Sequence, residues 1–330
     1  MVRFLVIRFS SIGDIVLTSP VVRCLKQQVE GAEVHFLTKP AFRGILELNP
    51  YIDKVITLQE SLDATLKELK DEQYDHIIDL HHNLRSLRVK RALGIPAFAF
   101  NKLNLEKWLM VNLKVNRLPD VHIVDRYMET LRHFSVENDN KGLDFFTDPS
   151  ADNVITTLPD AFRNGYIALV IGAKHATKRM PDEKLIELIR LMQLPVVLLG
   201  GPEDKKSAEA ISSAAGSLVF DAVGQFSLQQ SAVLVKQSKF VITHDTGLMH
   251  IAAAYKKRII SLWGNTIPGF GMTPYLPSGE GKSFISQVNG LKCRPCSKIG
   301  YDKCPKGHFK CMQEQDLSEI SRVAKVWWGM

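Results

Sequence analysis

Val2-Arg3-Phe4-Leu5-Val6-Ile7-Arg8-Phe9-Ser10-Ser11-Ile12-Gly13-Asp14-Ile15-Val16 opens the chain. Val2 to Ile7 is β-rich and nearly continuous in apolar character, the pattern of a parallel strand covered on both faces. A polar, glycine-containing loop follows. Ile15, Val16, Val21, Val22, Leu25 and Val29 then recur at approximately helical spacing, with Thr18 to Pro20 near the first turns. A strand, a loop and a helix in this order form the elementary unit of a parallel α/β sheet.

The unit repeats. Strands are expected at 34–37, 55–58 and 76–80, with a helix over 62–69 between the last two. The scheme restarts after Asp148-Pro149-Ser150, with strands at 166–171, 196–199, 240–243 and 259–262. Helices alternate with them at 182–192, 205–215 and 248–255. Alternation of this kind predicts parallel sheets in two doubly wound domains, and 330 residues suit two cores of ordinary size. The expected division is 1–155, 156–313 and a C-terminal helical segment 314–330, whose Trp327 and Trp328 suggest packing across the domains.

With 45% hydrophobic and 23% charged residues, the chain reads as an ordinary globular protein rather than a disordered or membrane-embedded one. The apolar start is too short to span a bilayer, and Ser10, Ser11 and Asp14 interrupt it where a signal peptide would stay apolar. The expected location is therefore the cytoplasm. A net charge of +7 favours acidic partners, among them nucleotides, phosphorylated sugars, anionic membrane surfaces and nucleic acid; plain solubility accounts for it equally.

Loops after parallel strands emerge at the carboxyl edge, where helix N-termini offer unpaired amides to anions. Asp14 there has the spacing of a helix cap. Gly13 allows close backbone approach, and Ser10 and Ser11 offer hydroxyls. No G-x-G-x-x-G or Walker pattern is present, which disfavours hydride transfer and P-loop hydrolysis. In the second half, Thr243-His244-Asp245-Thr246-Gly247-Leu248-Met249-His250 runs from a strand into a helix of small residues, a phosphate-binding geometry in which Thr246 and Gly247 face a diphosphate. Lys178 lies in a basic turn before Met180-Pro181, either as a phosphate partner or as a solvated lysine.

These loops together resemble the ADP-heptose:lipopolysaccharide heptosyltransferases, glycosyltransferase family nine, over essentially the whole chain. The matching pieces are Ser10-Ser11-Ile12-Gly13-Asp14 with Thr18-Ser19-Pro20, Asp79-Leu80 with Asn83-Leu84-Arg85-Ser86, Lys178 before Met180-Pro181, Gly200-Gly201-Pro202-Glu203-Asp204, and Asp245-Thr246-Gly247-Leu248-Met249-His250 with Ala252-Ala253-Ala254. The resemblance implies a GT-B fold, two Rossmann-like domains facing a cleft, and metal-independent, inverting transfer of heptose from an ADP-activated donor to a sugar hydroxyl of the inner lipopolysaccharide core. By the same resemblance Asp14 is the general base. Lys178 neutralises the leaving diphosphate. The donor is held by Glu203 or Asp204 with Asp245, Thr246, Gly247 and His250; the phosphorylated acceptor is met by Ser10, Ser11, Gly13, Arg85, Arg88, His122 and Arg126. The chain departs from the usual Asp-x-Gln-Gly-Asn-Leu segment, which reads Asp79-Leu80-His81-His82-Asn83-Leu84 and bears on the acceptor. Arg179-Met180 is a second departure, where many relatives carry an aromatic residue before the proline.

No cofactor is expected for catalysis. Cys293, Cys296, Cys304 and Cys311, with His308 among them, supply enough thiolates for a tetrahedral structural zinc, although the spacing is not that of a standard ribbon and four free thiols are the alternative. Lys90, Arg91, Lys102, Lys107 and Lys114, near Trp108, Leu109 and Met110, are candidates for peripheral contact with the inner membrane leaflet. A noncatalytic nucleic-acid binder is a competing class, but the sequence contains no recognised module for it.

Overall fold

The computed structural model describes residues 1–330. The chain divides into two units, Met1–Leu103 with Val121–Phe146, and Asn104–Asp120 with Thr147–Met330.

The first unit is built on β1 (Val2–Ile7), β2 (Ala32–Thr38), β3 (Lys54–Thr57), β4 (His76–Asp79) and β5 (Ala97–Ala99) in the order β3-β2-β1-β4-β5. All pairs are parallel, and Ile7 lies opposite both Leu37 and Asp79. The continuous apolar run of β1 is explained by its central place, since Phe4 to Ile7 are wholly buried. Successive strands step away from β1 on one side through β2 to β3. The chain then returns to β4 on the other side, so β1 and β4 flank the point where the winding reverses. In an open α/β sheet ligands bind outside the carboxyl ends of the strands at this point.

The second unit repeats the plan with β6 (Ile167–Val170), β7 (Val196–Leu199), β8 (Val219–Asp221), β9 (Phe240–His244), β10 (Arg258–Trp263) and β11 (Lys282–Gln287), in the order β11-β10-β9-β6-β7-β8. Its reversal lies between β6 and β9. The loops carrying Asp14, Lys178 and Asp245 therefore all leave strands that flank a reversal point. The predicted helices over 182–192 and 205–215 are found at Asp182–Met192 and Lys205–Ala215.

One expectation about organisation is corrected. The units part at Phe146 and Thr147 rather than at residue 155, because the 3-10 segment Pro149–Thr157 packs on the helix Leu228–Gln237 of the second unit. The C-terminal helix, Leu317–Trp328, was expected to pack across the domains. It is built into the second unit's core: Leu317, Ile320, Val323 and Ala324 join the cluster around the helix Asp182–Met192. Trp327 meets Phe240 edge-on at 5.8 Å, and Lys239 lies 4.0 Å over the Trp328 ring.

Candidate active site

In the first domain the loop after β1 is organised by Arg8, a cation only 8% exposed. Its guanidinium donates to the carbonyls of Ser10 (2.8 Å) and Leu80 (2.5 Å) and to the Tyr127 hydroxyl (3.1 Å), and pairs with Asp14 at 2.7 Å. It thus ties the ends of β1 and β4 together across the reversal point. Ser11, the N-cap of the short helix Ile12–Val16, donates to Asp14 from its amide (3.1 Å) and its hydroxyl (2.9 Å), so Asp14, the helix's third residue, supplies the return contact of a capping box. Gly13 is buried in that first turn and its carbonyl accepts from Leu17. Burial pushes the Asp14 carboxyl up, but Arg8 and the Ser11 donors outweigh it and hold the group below the ordinary carboxylate value. The side chain keeps 21% of its surface. The result is an ionised, oriented carboxylate that a ligand can reach.

The turn after β4 is equally fixed. Asp79, fully buried, accepts the amides of His81 (3.1 Å) and His82 (2.7 Å), the Ser86 hydroxyl (2.8 Å) and the Lys90 ammonium (2.8 Å). Asn83 and Ser86 cap the helix Leu84–Leu93 reciprocally. Arg85 lies 5.6 Å over the Phe9 ring, which brings it to the Ser10 loop.

The other expected acceptor residues are not gathered there. Arg88 pairs on the surface with Asp63 at 3.6 Å. His122 caps the helix Ile123–Met128 by accepting the Val124 amide. Arg126, 6% exposed, donates to the Asn101 carbonyl, and burial lowers its pKa. A guanidinium so placed is framework rather than a solvent-facing phosphate partner.

In the second domain Lys178 ends a 3-10 turn after β6 and pairs at 2.5 Å with Asp245, the residue after β9. Asp245 also accepts the Thr266 hydroxyl at 3.2 Å. Thr246 is the N-cap of the helix Gly247–Ala254, its hydroxyl 3.2 Å from that of Thr243, so Gly247 stands at the positive end of that helix. His250 is buried within the same helix. His244, fully buried, accepts the Met180 amide at 2.9 Å and so fastens the Lys178 loop to the end of β9. Burial and the nearby Arg179 push its pKa down to about 4, which keeps the imidazole neutral and able to accept.

Capping gives Glu203 and Asp204 different surroundings. Asp204 is buried, accepts the Gly201 amide at 3.0 Å and pairs with Arg179 at 2.8 Å, while Glu203 is exposed. The carboxylate free to meet a ligand is Glu203.

Residues 63–301 match the model of glycosyltransferase family 9 (heptosyltransferase). The chain belongs to this family. The lipopolysaccharide heptosyltransferase 1 of Campylobacter coli is 25% identical over 80% of this chain and 84% of its own. Among solved structures, the E. coli ADP-heptose lipopolysaccharide heptosyltransferase II superposes with a TM-score of 0.69 over 97% of this chain and 99% of that one, at 21% identity. E. coli heptosyltransferase WaaC with ADP gives 0.67 over 98% and 99%, also at 21%. The fold is GT-B, and the protein is a glycosyltransferase.

The four clustered cysteines of this family 9 enzyme, for which a structural zinc and free thiols are the two alternatives, lie in the second unit. All four are free, and no group of three or more His, Cys, Asp or Glu side chains is arranged to hold a metal ion. The Cys296 thiol donates instead to the Cys293 carbonyl, and Cys293 is 3.8 Å from His308. Burial and the neighbouring thiols raise Cys296 and Cys311 to about 11. The positive charge among them is Arg294, pinned to the carbonyls of Gly264, Thr266 and Val288. The four thiols thus lie near one another.

Sequence reasoning passed over Arg8 and the role of His244. The available signal was positional: each is a chargeable group closing an otherwise apolar strand at the ligand-binding edge of its sheet.

Proposed function

We propose that the enzyme moves heptose from ADP-heptose to a sugar hydroxyl of the inner lipopolysaccharide core with inversion, Asp14 acting as general base. The observation that carries this reading is the placement of an ionised, partly accessible carboxylate at the reversal point of one sheet, with a lysine and a helix N-terminus at that of the other. The names of the relatives, and a solved E. coli heptosyltransferase WaaC with ADP-2-deoxy-2-fluoro heptose, support the donor. In the step, the acceptor oxygen bonds to the anomeric carbon as the bond from that carbon to the diphosphate breaks. The hydroxyl proton passes to Asp14, and ADP departs with the electron pair. A carboxylate of low pKa serves because it need accept the proton only as the oxygen commits to attack. Lys178, the Thr246 hydroxyl and the amides at Gly247 supply charge stabilisation to the leaving group, and Glu203 is the free carboxylate for the nucleotide.

A lipid-linked acceptor is met at a membrane surface, and we assign that contact to the segment containing Leu105, Trp108 and Leu113, which are 66%, 53% and 57% exposed. No helix is long and apolar enough to cross a membrane. Of the cations first considered there, Lys90 is committed to Asp79, and Lys114 to the carbonyls of Val111, Cys293 and Pro295. The exposed apolar side chains are assigned a direct share of the contact, and Trp108→Ala should weaken flotation with lipid vesicles even in high salt; unchanged flotation would remove this segment from the reading.

The decisive test is a donor screen against heptose-deficient lipopolysaccharide read by mass spectrometry, with the anomeric configuration of the product determined by NMR. Transfer from ADP-heptose with inversion is expected. Turnover of only a UDP- or GDP-sugar would assign the fold to another nucleotide sugar, and retention would remove the single-displacement role of Asp14.

A further inference from the structure

The turn that closes β4 carries a side chain whose ring nitrogen Nδ1 has no hydrogen-bond partner. Asp79 fixes the backbone of His81 and His82 through their amides. His82 is then anchored through its ring, whose Nδ1 lies 3.0 Å from the Phe100 carbonyl. The His81 ring has no such anchor: its Nδ1 is buried without a hydrogen-bond partner, and the ring rests edge-on against Phe9 at 4.9 Å. Buried polar atoms in folded proteins are nearly always paired, so an unpaired one calls for an explanation. The location supplies one. β4 and β1 flank the reversal point of the sheet, and Phe9 immediately precedes the Ser10 loop. Arg8, which holds Asp14, also holds the carbonyl of Leu80 directly before His81. The imidazole thus stands on a rigid turn joined through one guanidinium to the proposed base.

We propose that His81 is a positioning residue for the acceptor, its outer ring nitrogen Nε2 exchanging a hydrogen bond with a sugar hydroxyl so that the attacking oxygen is presented to Asp14. The inference rests on the function proposed above. In a neutral imidazole one nitrogen donates and the other accepts; with no partner on Nδ1 to fix the tautomer, Nε2 can serve in either sense with a hydroxyl, which both gives and takes a hydrogen bond. Neutrality is built in: burial, with Arg8 and Lys102 nearby, pushes the pKa of His81 down to about 4. A charged imidazole would instead compete with Arg8 for Asp14.

The experiment uses the full chain, ADP-heptose and heptose-deficient lipopolysaccharide. His81→Phe preserves the ring against Phe9 and removes both nitrogens, whereas His81→Gln restores a donor and an acceptor. For the Phe variant the KM for the acceptor should rise about five- to tenfold, the scale of one lost neutral hydrogen bond, with ADP affinity and Tm unchanged. The Gln variant should recover most of the loss. An acceptor KM within twofold of wild type in the Phe variant overturns the inference. So does a rise in KM accompanied by weaker ADP binding or a lower Tm, or one that Gln fails to recover, since these mark a packing role. Failure of the wild-type chain to transfer heptose would instead count against the function itself.

Discussion

Each domain places a cation and a carboxylate in contact at the reversal point of its sheet, and the two pairs divide their labour in opposite ways. In the first, Arg8 is committed to two carbonyls and a tyrosine hydroxyl, with 9% of its side chain accessible, and Asp14 retains 21%. The cation is frame and the carboxylate is available. In the second, Asp245 is committed to Lys178 and Thr266 and keeps 11% of its side-chain surface, while Lys178 keeps 17%. Here the carboxylate is frame and the cation is available. One architecture thus leaves a carboxylate accessible in one domain and a cation in the other, which match the base and the charge stabiliser of the proposed displacement at an anomeric carbon.

The largest effect should follow removal of the available carboxylate. Asp14→Asn retains the shape of the side chain and one acceptor for Ser11 but removes the proposed base, and kcat should fall by about 10²–10⁴-fold, the range associated with a positioned general base. ADP binding, measured calorimetrically, should stay within a few-fold of wild type because the donor groups lie in the other domain. Near-normal turnover in this variant would break the comparison at its first term.

A smaller effect is expected in the second domain, where the asymmetry between partners is the point. Lys178→Ala removes the available charge and should lower kcat by about 10²–10³-fold, as for other lost transition-state donors. Asp245→Asn leaves Lys178 in place with the amide oxygen as a neutral partner, and its loss should be clearly smaller. If kinetics show the two variants equally impaired, Asp245 is itself a working group, and the second domain is not the reverse of the first.

Much of this organisation was legible from residue patterns, and the exceptions have physical causes. Central strands such as β1, β6 and β9 announce themselves because burial on both faces demands an unbroken apolar run. β5 and β8 are only three residues long, and β11, Lys282 to Gln287, is a largely polar edge strand, so none carries that signal. The loops of the site were legible because glycine, hydroxyl and acidic residues sit between a strand pattern and a helix pattern. Their division of labour was not. Asp14 has the spacing of a capping residue and completes a capping box, and only the Arg8 pair and its residual exposure distinguish it from an ordinary capping residue. Glu203 and Asp204 are adjacent carboxylates in sequence, and the capping geometry of Gly201 alone decides which is buried. Arg126 has the composition of a phosphate ligand, yet the fold encloses it. Partner choice depends on contacts distant in sequence, which a local pattern does not contain.

The smallest predicted effect concerns stability rather than turnover, and contrasts the two histidines that close the sites. His244 is fully buried with a pKa near 4, against the ordinary 6.5. Between those values the unfolded chain binds a proton that the folded chain refuses, so this contribution to stability is complete above about 6.5 and is lost as the pH falls towards 4. From pH 7 to pH 5 the loss amounts to about 2 kcal/mol for such a group. His81 is depressed to a similar value, but its ring is only partly enclosed, and solvent relaxation makes its share smaller. Denaturant unfolding at the two pH values should therefore show a shallower pH dependence for His244→Gln, whose amide oxygen still accepts from Met180, than for wild type. The slope for His81→Gln should change less. Equal slopes in wild type and His244→Gln would show that the imidazole joining the Lys178 loop to β9 is not held neutral by burial, and the second domain would then lose the rigid support that leaves its lysine free to act.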